Sequence, residues 1–168
     1  MWRPDFDEAA AAFKKALCKS PKTARTKRSE NDVNSEYETL VKAAEEAMEN
    51  AYAPYSGFCV GAALKAKNGR VYTGCNIENA AFTPTNCAER TAFFKAISEG
   101  ERLFEAIAIV GGKNGEVQNL CPPCGVCRQV MREFCKADFK IVLKDSCGVR
   151  VFTLGELLPL SFGPDQLG

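Results

Sequence analysis

The chain of 168 residues contains no histidine. That absence removes the commonest metal ligand and the side chain that titrates nearest neutral pH. Any bound metal must then be held by sulfur or oxygen. Any general base near neutrality must be a carboxylate, lysine, cysteine or tyrosine. Net charge is close to zero, +1 at pH 7, so no overall field draws the protein to nucleic acid or an acidic membrane surface. No apolar run approaches a membrane span. The opening Met1-Trp2-Arg3-Pro4-Asp5-Phe6-Asp7-Glu8 carries acids where a secretory or mitochondrial presequence avoids them. No cleaved signal is expected, and the cytoplasm is the expected compartment.

What the chain has in excess is cysteine, nine in all. Without a secretory signal these should be reduced, and clustered thiols then point to metal or catalysis rather than to disulfides. Hydrophobic residues make up 46% and charged residues 26%, ordinary for a globular protein, and the length suits one domain with a real core.

Two regions are expected. Residues 1–35 read as an N-terminal extension: a helix over about Asp5–Leu17, then a basic run with Lys19, Lys22, Arg25, Lys27 and Arg28. That run reads as a flexible linker; the sharper alternative is a nucleic-acid or nuclear-targeting patch. Residues 36–168 read as the catalytic domain. Ser35 is placed to cap a helix in which Leu40, Val41, Ala44, Ala47 and Met48 recur at helical spacing. The turn cluster Ala53-Pro54-Tyr55-Ser56-Gly57 ends it. Cys59–Ala66 and Arg70–Cys75 form a hairpin about Asn68-Gly69. Helices are expected at Cys87–Ser98 and Cys124–Cys135, strands at Leu103–Val110, Phe139–Leu143 and Val149–Phe152, and a polar loop at 111–123. Thr153 and Glu156 are spaced for a capping box on a short last helix. This order predicts an α/β fold: a three-layer sandwich with a mixed β-sheet of about five strands flanked by helices.

The chemistry concentrates at two helix starts. Cys124 and Cys127 are three apart and share one face, so they can grip one ion. Cys87 heads the other helix, with Glu89 in its first turn. Unpaired amides and the helix dipole at such ends favour thiolate, the form zinc needs. Three sulfurs and a free carboxyl are the parts of a catalytic zinc site that keeps a position for water. Three thiolates on a divalent ion leave an excess negative charge, so Arg90 or Arg128 is expected to donate to sulfur. Each residue has a plainer reading: Glu89 as a first-turn acid serving the dipole, either arginine as a solvated surface residue. Cys121-Pro122-Pro123-Cys124-Gly125-Val126-Cys127 also matches the start of an iron–sulfur run, but Met131 stands where the next cysteine should be. A thioredoxin-like pair is a second rival. A closed structural zinc would need Cys121 or Cys75 as fourth ligand. The remaining Cys18, Cys59, Cys135 and Cys147 read as packing or surface residues.

Four stretches in order carry a resemblance: Tyr52-Ala53-Pro54-Tyr55-Ser56-Gly57-Phe58-Cys59-Val60-Gly61, Gly74-Cys75-Asn76-Ile77-Glu78-Asn79-Ala80, Cys87-Ala88-Glu89-Arg90-Thr91-Ala92, and Pro123-Cys124-Gly125-Val126-Cys127-Arg128-Gln129-Val130. Together they resemble the all-cysteine, homotetrameric cytidine deaminases, from about Glu36 to Leu167, and fit the three-cysteine form of the zinc deaminase signature. The resemblance implies hydrolytic deamination of cytidine and 2′-deoxycytidine to uridine and 2′-deoxyuridine. It implies one Zn2+ per subunit on Cys87, Cys124 and Cys127, with Glu89 as proton shuttle and Arg90 moderating thiolate charge. Asn76 and Glu78 would bind the ribose 3′ hydroxyl, Phe58 would stack near the pyrimidine, and the Ala88 amide would contact the base. Phe162 would enter the site of a neighbouring subunit. The implied partner is a small nucleoside, with no nucleic acid and no membrane. The chain departs from the family at Pro122, where serine is frequent, and at Phe82, where tyrosine is common.

Overall fold

The computed structural model describes residues 30–167. The helix expected at Asp5–Leu17 and the basic run 19–28 lie outside the described residues. The elements run α1 (Glu30–Met48), β1 (Phe58–Ala66), β2 (Val71–Cys75), α2 (Ala88–Ser98), β3 (Phe104–Lys113), α3 (Gly125–Phe134), β4 (Lys140–Asp145), β5 (Gly148–Thr153) and the short α4 (Leu154–Leu157). A 3-10 turn at Pro164–Gln166 closes the chain.

Five strands form one sheet in the order β2-β1-β3-β4-β5. Only β3 and β4, joined through α3, are parallel; the other neighbours are antiparallel. The mixed sheet expected from the sequence is therefore present. Side chains alternate across it, as the two-residue period of a strand requires. Ala62 and Leu64 of β1 and Ile107 and Ile109 of β3 pack against α2 and α3, with Phe93 and Met131. Ala63, Ala106, Ala108 and Val110 point the other way, onto Leu40, Val41, Ala44 and Met48 of α1. The result is three layers with the sheet in the middle. Small residues on the α1 side let that helix sit almost on the strand. A Cβ on Gly61 would stand 2.0 Å from the Ala44 carbonyl oxygen.

Several boundaries differ from expectation for local reasons. α1 starts at Glu30, so Ser35 lies inside the helix rather than capping it, and the helix crosses the 35/36 boundary. The β1–β2 connection is longer than a two-residue turn: Ala66 N–H still pairs with the Arg70 carbonyl, and Gly69 takes φ +88°. Glycine is needed there because the left-handed region strains other residues. β3 runs on through Gly111 and Gly112, which are buried and pair with Val60 and Cys59, so the expected polar loop begins later. Thr153 and Glu156 do form the reciprocal capping box. Among the described residues seven cysteines are free thiols. Cys147, exposed on the β4–β5 turn, is disulfide-bonded, contrary to the expectation that all are reduced.

Candidate active site

Both helix starts end in a cysteine. Cys87 is the N-cap of α2 and Cys124 the N-cap of α3, with Cys127 one turn into α3. α2 and α3 lie on the same face of the sheet, which brings their first turns together. The three sulfurs lie within 4.8 Å of one another, and Cys87 and Cys124 are 3.9 Å apart. Zinc–sulfur bonds of about 2.3 Å at tetrahedral angles place sulfurs roughly 3.8 Å apart, so the spacing fits one ion.

Charge within the cluster is shared unequally. The Cys87 thiol is lowered to about 5, first by a hydrogen bond from Cys127 and also by Arg90 and Cys124. The Cys127 thiol is raised, because its proton is held between the two sulfurs and because it is buried. One thiolate is thus favoured from within, and converting all three needs a cation. Arg90 supplies part of that charge. Its Nη2 donates to Cys87 Sγ at 3.7 Å and to the Thr85 carbonyl at 3.2 Å. Its Nε is buried without an acceptor among the described residues, a donor suited to a further thiolate.

Arg128 does not share this role. Its Nε donates to the Pro123 carbonyl at 2.7 Å and its Nη1 to the Leu157 carbonyl at 2.8 Å, so it braces the chain ahead of Cys124 instead of touching sulfur. Glu89 is 5% exposed. Burial raises its carboxyl above the usual range, and the nearby Cys87 charge adds to that, while its own backbone N–H opposes it. A carboxyl so placed gives up its proton less readily than a solvated one, as an acid–base group requires. Ala88, fully buried, is the first residue of α2, where backbone N–H groups have no partner within the helix.

Asn76 follows β2 and locks it to β1: Oδ1 accepts from Val60 N–H and Nδ2 donates to the Phe58 carbonyl, both at 2.8 Å. The Glu78 carboxylate accepts from Tyr55 N–H at 2.8 Å and Ser56 N–H at 3.2 Å. It is held below the usual carboxylate range, first by the Ser56 side chain and then by the Tyr55 amide. Phe58 is therefore joined directly to Asn76, and Glu78 to the turn before it. Phe162 is 60% exposed, with its carbonyl taken by Gln129 Nε2 at 3.1 Å. Thr91 and Gly74 stand within the stretches that carry the resemblance, but the sequence assigns neither a role. Thr91 Oγ1 donates to the Cys75 carbonyl at 3.1 Å and accepts from Asn86 Nδ2 at 3.0 Å, fastening the first turn of α2 to the end of β2. No motif marks that role; it exists only once helix and strand are adjacent. A groove of about 750 Å³ lies elsewhere, against α1 and the β4–β5 turn, and contains none of these residues.

Residues 34–143 match the family described as the cytidine and deoxycytidylate deaminase zinc-binding region. The chain belongs to this family. A cytidine deaminase of Sporosarcina psychrophila is 49% identical over 131 residues, covering 77% of this chain and 93% of the relative. One from Halalkalibacterium halodurans is 52% identical over 129 residues, covering 76% and 95%. The crystal structure of a cytidine deaminase from Burkholderia pseudomallei superposes with a TM-score of 0.70 at 49% identity, covering 75% of this chain and 98% of that one. The zinc of the family fits this donor set, and one zinc per subunit is the cofactor of this zinc-dependent deaminase.

Proposed function

We propose that Cys87, Cys124 and Cys127 are the zinc ligands and that Glu89 is the acid–base group for deamination of cytidine and 2′-deoxycytidine. The products are uridine or 2′-deoxyuridine and ammonia. The observation that carries this reading is the meeting of three free sulfurs within 4.8 Å, with a buried carboxyl two residues from the first. The relatives named as cytidine deaminases support the choice of substrate.

Zinc on three thiolates supplies Lewis-acid activation of a water molecule. The protein supplies proton transfer and position. Glu89 takes a proton from water as the oxygen adds to C4 of the ring, and delivers it to N3. The remaining hydroxyl proton then passes through the same carboxyl to the 4-amino group, which departs as ammonia. Arg90 balances the thiolates. The Ala88 amide contacts the base, and Phe58 stacks near it. Asn76 and Glu78 receive the ribose 3′ hydroxyl. Both ends of the Asn76 amide already hold β1, but its NH2 group has a second hydrogen and its oxygen a second lone pair for that purpose.

A homotetramer is part of the proposal. Tyr55, Phe58, Phe82 and Phe162 are all exposed in one subunit, and assembly would cover such aromatic surface while Phe162 enters a neighbour's site. Residues 36–168 are taken as the catalytic domain and 1–35 as an extension. No helix among the described residues is long and apolar enough to cross a membrane; a cytoplasmic enzyme suits the free thiols of the site, and the disulfide at Cys147 stands against that placement. The basic run 19–28, the alternative route to the nucleus, lies outside the described residues.

Glu89→Gln tests the central role. Zinc per subunit, by elemental analysis, should stay at the wild-type value while cytidine turnover falls by about 10²- to 10⁴-fold. Loss of zinc together with activity would make Glu89 a structural part of the metal site instead.

A further inference from the structure

One face of α3 holds the C-terminal tail. Gln129 donates to the Phe162 carbonyl at 3.1 Å. Arg132, one turn on, donates through Nε to Ser161 Oγ at 3.1 Å and pairs through Nη2 with Asp165. The Arg132 side chain is only 15% exposed, although Asp165 is 75% exposed. Gly163 passes so close that a Cβ there would stand 2.7 Å from the Arg132 guanidinium carbon. Just before this, Leu160 takes φ +51°, a left-handed conformation that strains a leucine and must be held by neighbouring contacts. The backbone on both sides of Phe162 is thus pinned, while its ring is left 60% exposed.

The helix that does the pinning begins with Cys124 and Cys127. Arg132 lies five positions beyond Cys127, about 7.5 Å along the axis. α3 therefore fixes the distance between the thiol cluster and the tail. We propose that Arg132 is a positioning residue for the deamination: by holding Ser161 and Asp165 it sets where the Phe162 ring is presented to the neighbouring substrate. This rests on the reading of Phe162 given above. A ring held in place binds without an ordering cost, whereas a released tail must be ordered at each encounter. Such a loss weakens ground state and transition state alike, so it raises KM and spares kcat.

The test uses the full-length, zinc-loaded enzyme and compares Arg132→Met, Phe162→Ala and the double variant. Gly163→Ala, which crowds Arg132 from the tail side, serves as an independent disturbance. Amide hydrogen exchange is read over residues 161–166, with kcat and KM for cytidine and zinc content. Arg132→Met and Gly163→Ala should speed tail exchange and raise KM on the order of tenfold, with kcat and zinc nearly unchanged. The double variant should be no worse than Phe162→Ala alone, and Arg132→Lys, which keeps charge but not the forked geometry, should be intermediate. Unchanged tail exchange, a fall in kcat with loss of zinc, or KM effects that multiply in the double variant would each overturn the clamp. An unchanged KM in Phe162→Ala would instead overturn the reading of Phe162, and with it the purpose assigned to Arg132, even if tail exchange rises.

Discussion

Arg90 does more for the metal site than its distance from solvent suggests. It is three residues beyond Cys87, on the same side of the first turn of α2, and its Nη2 reaches Cys87 Sγ and the Thr85 carbonyl together. A cation there offsets the surplus negative charge of three thiolates on a divalent ion, and groups in this position commonly tune metal affinity and activity. Arg90→Gln keeps a donor of shorter reach but removes the charge. Zinc affinity or turnover should fall about 10- to 100-fold, measured by competition with a chromophoric chelator and by cytidine absorbance. Wild-type values for both would show that the guanidinium serves only the Thr85 loop. Spacing along the chain could not choose between Arg90 and Arg128 for this task, although the family resemblance implied Arg90. Each follows a ligand or the acid directly, and only the direction of the side chains decides: Arg128 turns to the Pro123 and Leu157 carbonyls.

At the scale of elements, α2 and α3 both begin on a residue that is a poor cap. Cys87 makes no side-chain cap hydrogen bond, and Cys124 caps through sulfur, a weak acceptor, from Cys127 N–H at 3.5 Å. Replacing an oxygen cap typically costs about 1 kcal/mol, so these helix starts are held mainly by packing. Gly74 of β2 provides some of it. A Cβ there would lie 2.5 Å from Ala92 N and 2.6 Å from the Ala88 carbonyl, both backbone atoms that cannot swing aside. Gly74→Ala must therefore push α2 off the sheet and carry Cys87 and Glu89 with it. The expected cost is about 1–3 kcal/mol in urea unfolding, with less than one zinc per subunit. Full zinc at reduced stability would mean that the cysteine-bearing turn moves with the helix and keeps its geometry. Element type was legible because the signals differ, apolar residues at helical spacing in α1 against short apolar runs in β1 and β3 that the sheet buries on both faces. Element ends were less so: α1 begins ahead of its expected cap, and β3 continues through two glycines because β1 is there to pair with them.

For the whole molecule, exposed aromatic surface bears on assembly. Aromatic residues from three separate stretches, Tyr55 and Phe58, Phe82, and Phe162, remain exposed in one subunit, Phe82 by 75%. Burying such side chains contributes about 1.5–3 kcal/mol each, so association should be strong. Sedimentation equilibrium should give a mass near four times the 18.3 kDa subunit. A monomer retaining full activity would remove the shared-site reading.

Residue types and local spacing were enough to name the chemistry. With no histidine, the choice of ligands was confined to sulfur and oxygen, and short local spacings set Cys124 with Cys127 and Cys87 with Glu89. The sequence also determined the layered fold, because the order of helical and strand segments admits few architectures. Tertiary structure alone decided what depends on distant residues arriving at one place. The meeting of α2 with α3 put three sulfurs within 4.8 Å, turned Arg90 toward them and Arg128 away, and made Thr91, Gly74 and Arg132 matter. None of these follows from spacing along the chain, since the partners lie on separate elements and only the packed sheet sets their distance.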